Sequence, residues 1–480
     1  MAELKEYDLI AIGSGSALDV VNAFLHRNHD AKVAVIDKDE PGGICLTRGC
    51  IPSKMLMYPA EMVRMIEMAS EFGIDVEVKR IDFGRVMDRM RGHIYPEIAS
   101  IREGLSRTES VDYYPVVAEF VAPYTLKAGN EVMKSKLIIL CTGSKPTIPP
   151  ISGLDRVNYH TSDTILKISK LPGSIAIIGG GYIAAEYGHF FSAMGSKVTV
   201  VGRNPQFIPE EEPEISALAR RELQKHLELV TNCEVQEVDG MSDGTKKIVG
   251  VDRQSGKKLE IIADELLIAT GRSPNTDILH PEMAGIRTDE HGWIMVNDYM
   301  ETSQPNIWAI GDADGKYPFK HVANYESLIA YYNAVLRKKV KVDYSAVPHA
   351  VFMYPEIASV GQREKEIIER LGEDRVLIGA QRYQDTAKGQ AMAVKDFFVK
   401  VILEKETMKI LGAHIIGPHA SILIQEVINL MYTKDGSAAP IIYGMHIHPA
   451  LSEVVQRAFT NLMPPEEYHH VLEERYEIRI

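Results

Sequence analysis

The stretch YDLIAIGSGSALDVVNAFLHRNHDAKVAVID, residues 7–37, decides the fold of this 480-residue chain. A short apolar run, Leu9 to Ile12, is typical of a buried parallel strand. Gly13 and Gly15 follow it, then a helical stretch, and a second apolar run that ends at Asp37. This spacing predicts a strand–helix–strand unit whose glycine turn brings the backbone close to a pyrophosphate at the helix N-terminus.

The same pattern occurs again at residues 173–204, GSIAIIGGGYIAAEYGHFFSAMGSKVTVVGRN. A single glycine fingerprint is weak evidence, but two copies in the same context indicate two Rossmann-like dinucleotide-binding domains. The third small-residue position holds Ala184 in the second copy and Leu18 in the first. We therefore expect the first helix to pack differently on its strand.

The residues that end the second strand of each unit suggest which nucleotide each binds. Asp37 can accept hydrogen bonds from a ribose 2′-hydroxyl and would repel a 2′-phosphate. The second copy has Gly202 there instead, followed by Arg203, which can pair with a 2′-phosphate or remain a solvated surface charge. The second site is predicted to prefer NADPH over NADH.

Composition excludes several classes of function. The net charge is −13, from 53 basic and 66 acidic residues, which disfavours binding to nucleic acid or an anionic membrane. No apolar stretch is long enough to span a bilayer, and the start MAELKEYDLI lacks a secretory signal. We expect a cytoplasmic protein.

Two of the four cysteines, Cys45 and Cys50, lie in GGICLTRGCIPSK, residues 42–54. Structural zinc needs four ligands, and no second cysteine pair exists, so no metal site is predicted. A redox pair is the sharper hypothesis; two ordinary thiols are the alternative. The methionines of the helix that follows are interpreted as packing residues.

The rest of the chain supplies further landmarks. LIILCTGSKPTIPP (137–150) and ELLIATGRSPNT (265–276) are each a strand followed by Thr-Gly, typical of crossings between domains. NIWAIGDAD (306–314) is a strand that ends at Gly311-Asp312. After about residue 345, alternating apolar and polar residues predict an antiparallel sheet, followed by an amphipathic helix.

In this order, the motifs G-x-G, GGxCxxxGCxPSK, the second glycine turn, ATGRxPN, GD and HPxLSE resemble the class I flavoprotein disulfide reductases over residues 6 to about 462. The resemblance implies an α/β fold with FAD- and NAD(P)-binding Rossmann-like domains and a C-terminal α+β dimerisation domain. It implies a homodimer whose active site is shared between subunits. The expected division is 1–150 and 271–345 for FAD, 151–270 for NAD(P), 346–465 for dimerisation, and 466–480 as a C-terminal extension that forms a charged surface helix or an arm on the partner.

The resemblance also implies residue roles. Cys50 lies nearer the flavin and makes the charge-transfer contact, and Cys45 attacks the substrate disulfide. His448, oriented by Glu453 and supplied by the partner subunit, is the acid–base group; the neighbouring His446 is not. Lys54 and Glu186 pair near the flavin, and Tyr182 covers it until nicotinamide binds. The implied cofactor-binding residues are Gly13, Gly15, Asp37, Gly42, Gly43, Lys54, Thr142, Gly143, Gly311 and Asp312 for FAD, and Gly179, Gly181, Tyr182, Ala184, Arg203 and Gly271 for NAD(P).

Within the family, PSKMLMYPAEM, YHTSDT and KHVANYE are similar to mycothione reductase. HIHPALSE fits dihydrolipoamide dehydrogenase equally, but that enzyme usually carries an acid where this chain has Gly202. A mercuric reductase needs a C-terminal cysteine pair, and the last cysteine here is Cys233. We expect NADPH-dependent reduction of a small-thiol disulfide. The alternative is NAD-linked oxidation of dihydrolipoyl groups, with a lipoyl-bearing protein as partner; a non-catalytic flavoprotein is the hypothesis of another class.

Overall fold

The computed structural model describes residues 4–475. The first part of the chain, up to residue 146, forms these strands and helices: β1 (Leu4–Tyr7), β2 (Leu9–Ile12), α1 (Ala17–Arg27), β3 (Val33–Ile36), α2 (Gly43–Thr47), α3 (Cys50–Glu67), α4 (Phe83–Arg107), β4 (Val111–Tyr114), β5 (Ala118–Ala122), β6 (Thr125–Ala128), β7 (Glu131–Ser135), β8 (Ile138–Leu140) and β9 (Ser144–Pro146).

The second part extends to residue 335. Its elements are β10 (His160–Thr161), β11 (Ser174–Ile178), α5 (Tyr182–Met194), β12 (Lys197–Val201), α6 (Pro213–Leu223), β13 (Glu228–Val230), β14 (Cys233–Gly240), β15 (Lys246–Asp252), β16 (Lys258–Ala263), β17 (Glu265–Ile268), β18 (Arg272–Pro274), β19 (Ile307–Ala309) and α7 (Lys320–Ala330). A π-helical turn, Tyr331–Val335, continues α7.

The last part contains β20 (Pro348–Val351), β21 (Ile357–Gly361), α8 (Glu364–Leu371), β22 (Val376–Arg382), α9 (Ala387–Ala391), β23 (Phe398–Glu404), β24 (Ile410–Ile416), α10 (Ala420–Met431), α11 (Ala439–Tyr443), α12 (Ser452–Thr460), β25 (Leu462–Met463) and α13 (Pro465–Arg475). No helix within residues 4–475 is long and apolar enough to cross a membrane.

Two parallel sheets carry the two glycine turns. The first has the order β19-β8-β2-β3-β4, and the second β10-β17-β11-β12-β13. In both, the central strand that leads into the glycines is buried over its apolar length. β19 joins the first sheet after the chain has completed the second, so the chain leaves the first unit and returns to it. The antiparallel pair β9–β18 lies at this crossing.

The third unit is an antiparallel sheet of order β20-β21-β24-β23-β22-β25. Its two central strands, β23 and β24, are almost fully buried because α10 and α12 pack against them. The predicted fold class, two Rossmann-like domains followed by an α+β domain, is confirmed.

The structure tests three local expectations, which concern Leu18, the methionines of α3 and the C-terminal extension. Leu18 is only partly buried and packs against an apolar cluster that also contains Ile329 and Ala330 of α7. The methionine interpretation is wrong for Met62 and Met65 within the single chain, where both are at least half exposed, although Met57 is buried.

The C-terminal extension is a helix, α13, that packs on its own chain against β22. Tyr468 and Leu472 are fully buried, whereas Glu466, Glu467, Glu473 and Glu474 are exposed. Within the described residues α13 is therefore a charged surface helix docked on its own chain, the first of the two expected alternatives. Residues 476–480 of that extension lie outside the described part of the chain.

Candidate active site

The two glycine turns have the same construction. A Cβ on Gly13 would lie 2.0 Å from the carbonyl oxygen of Cys141, and a Cβ on Gly179 would lie 2.1 Å from that of Ala269. Both carbonyls follow the parallel strand next in the sheet, β8 or β17. Both glycines have positive φ, +96° and +145°. A side chain at either position would break the strand-to-helix turn, so glycine is required.

A cleft with about 1500 Å³ of empty space, counting the part open to solvent, extends from the first glycine turn to the start of α5. Fourteen of the residues singled out from the sequence line it: Gly13, Gly15, Asp37, Gly42, Gly43, Cys45, Cys50, Lys54, Thr142, Gly143, Tyr182, Glu186, Gly311 and Asp312. Seven do not: Gly179, Gly181, Ala184, Arg203, Gly271, His448 and Glu453.

The first-unit end of this cleft fits a dinucleotide. The N-terminus of the 11-residue helix α1 opens toward it, and the chain at Gly43 passes so close to Gly15 that a Cβ on Gly43 would lie 2.7 Å from the Gly15 Cα. The hydroxyl oxygen of Thr142 is buried without a hydrogen-bond partner among the described residues. Buried polar atoms are nearly always satisfied, so this hydroxyl indicates a ligand group in the cleft.

Asp37 is held rigidly at the end of β3. One carboxylate oxygen accepts from the Ser14 backbone N–H at 2.7 Å and from its hydroxyl at 2.6 Å. The other accepts from the Asp39 N–H at 3.0 Å. The carboxylate therefore faces the glycine turn, where an adenosine ribose would lie in a Rossmann-like unit.

Asp312 also lines the cleft. It accepts a 2.5 Å hydrogen bond from the Ser144 hydroxyl, which also accepts from Arg272 Nε at 2.6 Å. Behind it, the Gly311 N–H donates to the buried carboxylate of Glu326 at 2.6 Å. Burial and the neighbouring Asp314 raise the pKa of Glu326 to about 8. This shift favours the protonated form of the buried carboxyl.

The two cysteines meet at the junction between α2 and α3. Gly49 separates these helices, and a Cβ there would lie 2.8 Å from the Ile44 carbonyl oxygen and 3.2 Å from the Cys45 Cα. Both thiols are free, with Cys45 half-buried and Cys50 exposed to the cleft. Glycine at position 49 thus permits the close approach on which a disulfide between the two depends.

The two thiols are electrostatically unequal. A hydrogen bond from Cys45, together with the Lys54 charge, lowers the pKa of Cys50 to about 7 despite its partial burial. The same hydrogen bond and burial raise the pKa of Cys45. Cys50 is also the first residue of α3, where the helix N-terminus favours a thiolate. The negative charge of the reduced pair is therefore favoured on Cys50 and the proton on Cys45.

Lys54 lies one helical turn beyond Cys50 and pairs with Glu186 of α5. Its ammonium is 2.8 Å from both carboxylate oxygens. Glu186 is nearly fully buried and also accepts the Phe352 backbone N–H at 3.0 Å. The ammonium lies 4.8 Å from the centre of the Phe352 ring. The ion pair places a positive charge in the cleft beside the thiolate.

The structure adds basic residues that the sequence reasoning missed. Lys320 lines the cleft and donates to the Ser16 hydroxyl at 2.8 Å. Arg48, between the two cysteines, bridges Asp39 at 2.6 Å and Asp163 at 3.1 Å. Lys320 begins KHVANYE, and Arg272 lies within ATGRSPN. Both stretches stand out as motifs, but neither pattern indicates that its cation faces the cleft.

The second glycine turn offers open space. Within residues 4–475, and apart from the adjoining residues of the chain, no atom lies within 4 Å of a Cβ built on Gly181 or Gly271. Tyr182 begins α5 between the two units, and burial raises its pKa to about 12. At the end of β12, Gly202 approaches Gly180 closely: a Cβ built on Gly202 would lie 3.3 Å from the Cα of Gly180. Close backbone packing therefore favours glycine at position 202. Glycine there also leaves no carboxylate that would repel a 2′-phosphate.

His448 and Glu453 form a pair outside the cleft. His448 Nδ1 lies 3.0 and 3.1 Å from the two carboxylate oxygens, and this hydrogen bond lowers the pKa of Glu453. The His448 side chain is 66% exposed. The large apolar side chains of Tyr443, Met445 and Ile447 beside it are 85%, 103% and 78% exposed. An apolar surface of this kind is typical of a protein interface.

Comparisons with known proteins agree with this geometry. The family model described as pyridine nucleotide-disulphide oxidoreductase matches residues 7–327, and the dimerisation domain of the same family matches residues 347–459. The chain belongs to this family. It is a class I flavoprotein disulfide oxidoreductase, an enzyme that uses FAD and a pyridine nucleotide.

Two relatives match over almost their whole length. Mycothione reductase of Mycobacterium tuberculosis is 36% identical over 472 residues, which cover 96% of this chain and 100% of that protein. Dihydrolipoyl dehydrogenase of Synechocystis is 33% identical over 482 residues, which cover 96% of this chain and 99% of that protein. Among solved structures, the flavoprotein disulfide reductase RclA of Escherichia coli superposes with a TM-score of 0.83 at 26% identity, covering 95% of this chain and 99% of that one.

Proposed function

We propose that this enzyme uses NADPH to reduce the disulfide of a small thiol, in the manner of a mycothione reductase, with Cys45 and Cys50 as its redox pair. The observation that carries the proposal is geometric: Cys45, Cys50 and the Lys54 ammonium line the same cleft, and the contact between the two thiols lowers the pKa of Cys50 and raises that of Cys45. We further propose the five-part domain division given above and a cytoplasmic location.

The cofactors supply one piece of chemistry: bound FAD passes two electrons from nicotinamide to the Cys45–Cys50 disulfide. The residues proposed to hold FAD are the lining residues of the first unit, including Asp37, Thr142 and Asp312. Lys54 contributes a fixed positive charge where negative charge develops on reduction.

The thiol chemistry follows from the unequal pair. A base must remove the proton from Cys45, whose thiolate then attacks one sulfur of the substrate disulfide. The same group returns the proton to the departing thiolate, which leaves as a thiol. The Cys50 thiolate next attacks the Cys45 sulfur of the mixed disulfide and restores the Cys45–Cys50 bond. The second thiolate is displaced and takes up a proton that the same acid–base group relays from solvent, so that it leaves as a thiol.

The base is proposed to be His448 of the partner subunit in a homodimer. No histidine is among the residues that line the cleft of the single chain. His448 is oriented by Glu453 and exposed beside the apolar side chains of Tyr443, Met445 and Ile447. A two-fold interface that covers this segment would bury those side chains and bring His448 to the other subunit's Cys45.

The NADPH preference rests on Gly202 and Arg203. Arg203 is exposed, and no carboxylate among residues 4–475 is within salt-bridge distance of it. A free guanidinium at this position is suited to a 2′-phosphate. A second candidate, oxidation of dihydrolipoyl groups with NAD, is favoured by the 33% identity to dihydrolipoyl dehydrogenase.

The deciding experiment is an anaerobic titration of the purified enzyme with NADPH and, separately, with NADH. Long-wavelength absorbance from a thiolate beside oxidised flavin is expected at much lower NADPH than NADH. Disulfides of mycothiol, glutathione and lipoamide are then compared as substrates. A clear advantage for NADH with turnover of lipoamide alone would replace the proposal by the second candidate. If this long-wavelength absorbance appears with neither NADPH nor NADH, the assignment of Cys45 and Cys50 as the redox pair is contradicted.

Pairing of variants tests the shared site. Cys45→Ser and His448→Gln are each expected to abolish disulfide reduction. Mixing the two inactive variants under conditions that exchange subunits is expected to restore part of the activity, because one of the two sites in a mixed dimer is then intact. No recovery after verified exchange would mean that each subunit uses its own His448.

A further inference from the structure

We propose that Arg253 is a second reader of the cofactor's 2′-phosphate and closes on it together with Arg203. This inference rests on the proposed NADPH preference and deepens it. Arg253 lies 50 residues beyond Arg203, in the turn between β15 and β16, and no pattern near the glycine fingerprint marks it. The fold brings the two arginines together at the end of β12.

Backbone hydrogen bonds fix this proximity. The segment after β12 is tied to the start of β14, because the Asn232 N–H donates to the Asn204 carbonyl at 2.8 Å and the Cys233 N–H donates to the Gly202 carbonyl at 3.0 Å. The Arg253 N–H in turn donates to the Asn232 carbonyl at 2.8 Å. The three segments therefore form one continuous rim beside the ribose position of the second unit.

The Arg253 side chain extends along this rim to Arg203. Its Nη1 donates to the Arg203 backbone carbonyl at 3.4 Å, which is long for a hydrogen bond. A neutral acceptor at this distance holds the guanidinium weakly. A phosphate is a much stronger partner, because a guanidinium presents a planar pair of N–H groups that matches two phosphate oxygens.

The turn that carries Arg253 is rigid. One oxygen of Asp252 accepts from the Ser255 N–H at 2.6 Å and from its hydroxyl at 2.7 Å. The Asp252 N–H also donates to the Lys257 carbonyl at 2.9 Å. Arg253 is thus fixed at the backbone, which lowers the entropic cost of placing its side chain on a ligand.

The local charge favours an anion although the whole chain carries −13. Four cations, Arg203, Arg253, Lys257 and Lys258, have no carboxylate among residues 4–475 within salt-bridge distance. The one acid of the turn, Asp252, is engaged by Ser255. Unpaired cations of this kind, next to a glycine in place of the ribose-binding acid, form a site for a phosphate dianion.

Calorimetric titration of the FAD-loaded enzyme with two nucleotides tests the inference without turnover. Adenosine 2′,5′-bisphosphate and 5′-AMP differ only in the 2′-phosphate. Arg253→Ala is expected to weaken the bisphosphate about tenfold and to leave 5′-AMP unchanged. Arg253→Lys is expected to retain part of the affinity. Lys247→Ala is the matched control, since it removes a charge from the opposite end of β15, where the ammonium pairs with Glu260 at 2.9 Å, and it should change affinity less than about twofold.

The outcomes separate the two proposals. A wild-type enzyme that binds both nucleotides equally would refute the NADPH preference, and this inference with it. A wild-type preference that Arg203→Ala abolishes and Arg253→Ala leaves intact would refute this inference alone. Equal weakening of both nucleotides by Arg253→Ala would show that Arg253 supports the rim and does not read the phosphate.

Discussion

Lys54 and Glu186 are 132 residues apart in sequence, yet the ammonium of one lies 2.8 Å from both carboxylate oxygens of the other. The Glu186 side chain is only 4% exposed, whereas that of Lys54 is 33% exposed. The buried carboxylate depends on the ammonium for its charge compensation. The pair also joins α3, one turn beyond Cys50, to the first helix of the second nucleotide unit.

Lys54→Met is expected to lower the free energy of unfolding by about 1–3 kcal/mol, because Glu186 loses its counter-charge. It is also expected to slow flavin reduction by NADPH, measured by anaerobic stopped-flow absorbance. The double variant Lys54→Met/Glu186→Met should regain most of the stability but not the rate. Lys365→Met, at an 87% exposed side chain, is the control. Recovery of the rate in the double variant would show that the charge of Lys54 is not needed.

Gly49→Ala is expected to prevent the Cys45–Cys50 disulfide from closing, because the added Cβ would meet the Ile44 carbonyl oxygen at 2.8 Å. Titration of accessible thiols in the air-oxidised enzyme measures this directly, with two more thiols expected than in wild type. Gly92→Ala is the control, because in the described part of the chain only its own helix α4 lies within 4 Å of the new Cβ. A wild-type thiol count in Gly49→Ala would mean that α2 and α3 can separate at no cost to the disulfide.

Much of the fold could be predicted because its signals are local. The runs that form β2 and β11 and the glycines that follow them are read within short windows. The alternation in β23 and β24 predicts the antiparallel sheet, but not that Lys400 and His414 on these strands are buried. Leu18 departs from the small residue of the glycine fingerprint, but the turn is preserved. Ala17 takes the fully buried position, and Leu18 packs against the apolar cluster that includes residues of α7.

The rest of the site depends on contacts between distant segments. The ion pair of Arg48 with Asp163 and the position of Arg253 against Arg203 join residues 115 and 50 positions apart. The buried Glu326 behind Gly311 is equally invisible to a local pattern, since its burial is a property of the packed fold. The residue roles implied by the resemblance also specify no distances between side chains. The difference in pKa between Cys45 and Cys50 depends on their hydrogen bond and burial, which only the structure gives.

Cys45→Ala is expected to raise the pKa of Cys50 from about 7, because it removes the hydrogen bond that stabilises the thiolate. The pH dependence of alkylation at Cys50, followed by peptide mass spectrometry on reduced enzyme, measures the midpoint. Cys45→Ser keeps a hydroxyl donor and should give an intermediate value. Identical midpoints in all three enzymes would show that Lys54 and the helix N-terminus alone set the thiolate.

Lys400→Met is expected to destabilise the enzyme by about 3–5 kcal/mol. Lys400 is fully buried, with its ammonium 3.1, 2.7 and 2.6 Å from carboxylates of Glu212, Glu214 and Glu364. Two of these acids belong to the second nucleotide unit, so the cluster fastens that unit to the antiparallel sheet. Urea denaturation measures the effect, again against Lys365→Met. A loss below about 1 kcal/mol would mean that the acids take up protons when the lysine is absent.

His469→Gln tests the attachment of α13 to the same cluster through a pH dependence. His469 Nε2 lies 2.7 Å from Glu364, and this hydrogen bond raises the pKa of His469. Burial opposes ionisation of Glu364, but His469 and Lys400 still hold its pKa at about 2, so His469 is the partner that titrates near neutrality. A raised folded-state pKa stabilises at pH values below the ordinary histidine pKa of about 6.5, and the contribution is lost as pH rises through the folded-state value. The stability difference between wild type and His469→Gln should therefore be largest near about pH 6, at most about 1 kcal/mol for this half-exposed pair, and should shrink toward about pH 9.

His470→Gln, at the more exposed neighbouring histidine, should show a smaller and flatter difference. A His469→Gln difference that stays constant over this range would assign the contribution of His469 to packing against Tyr468 and not to its charge.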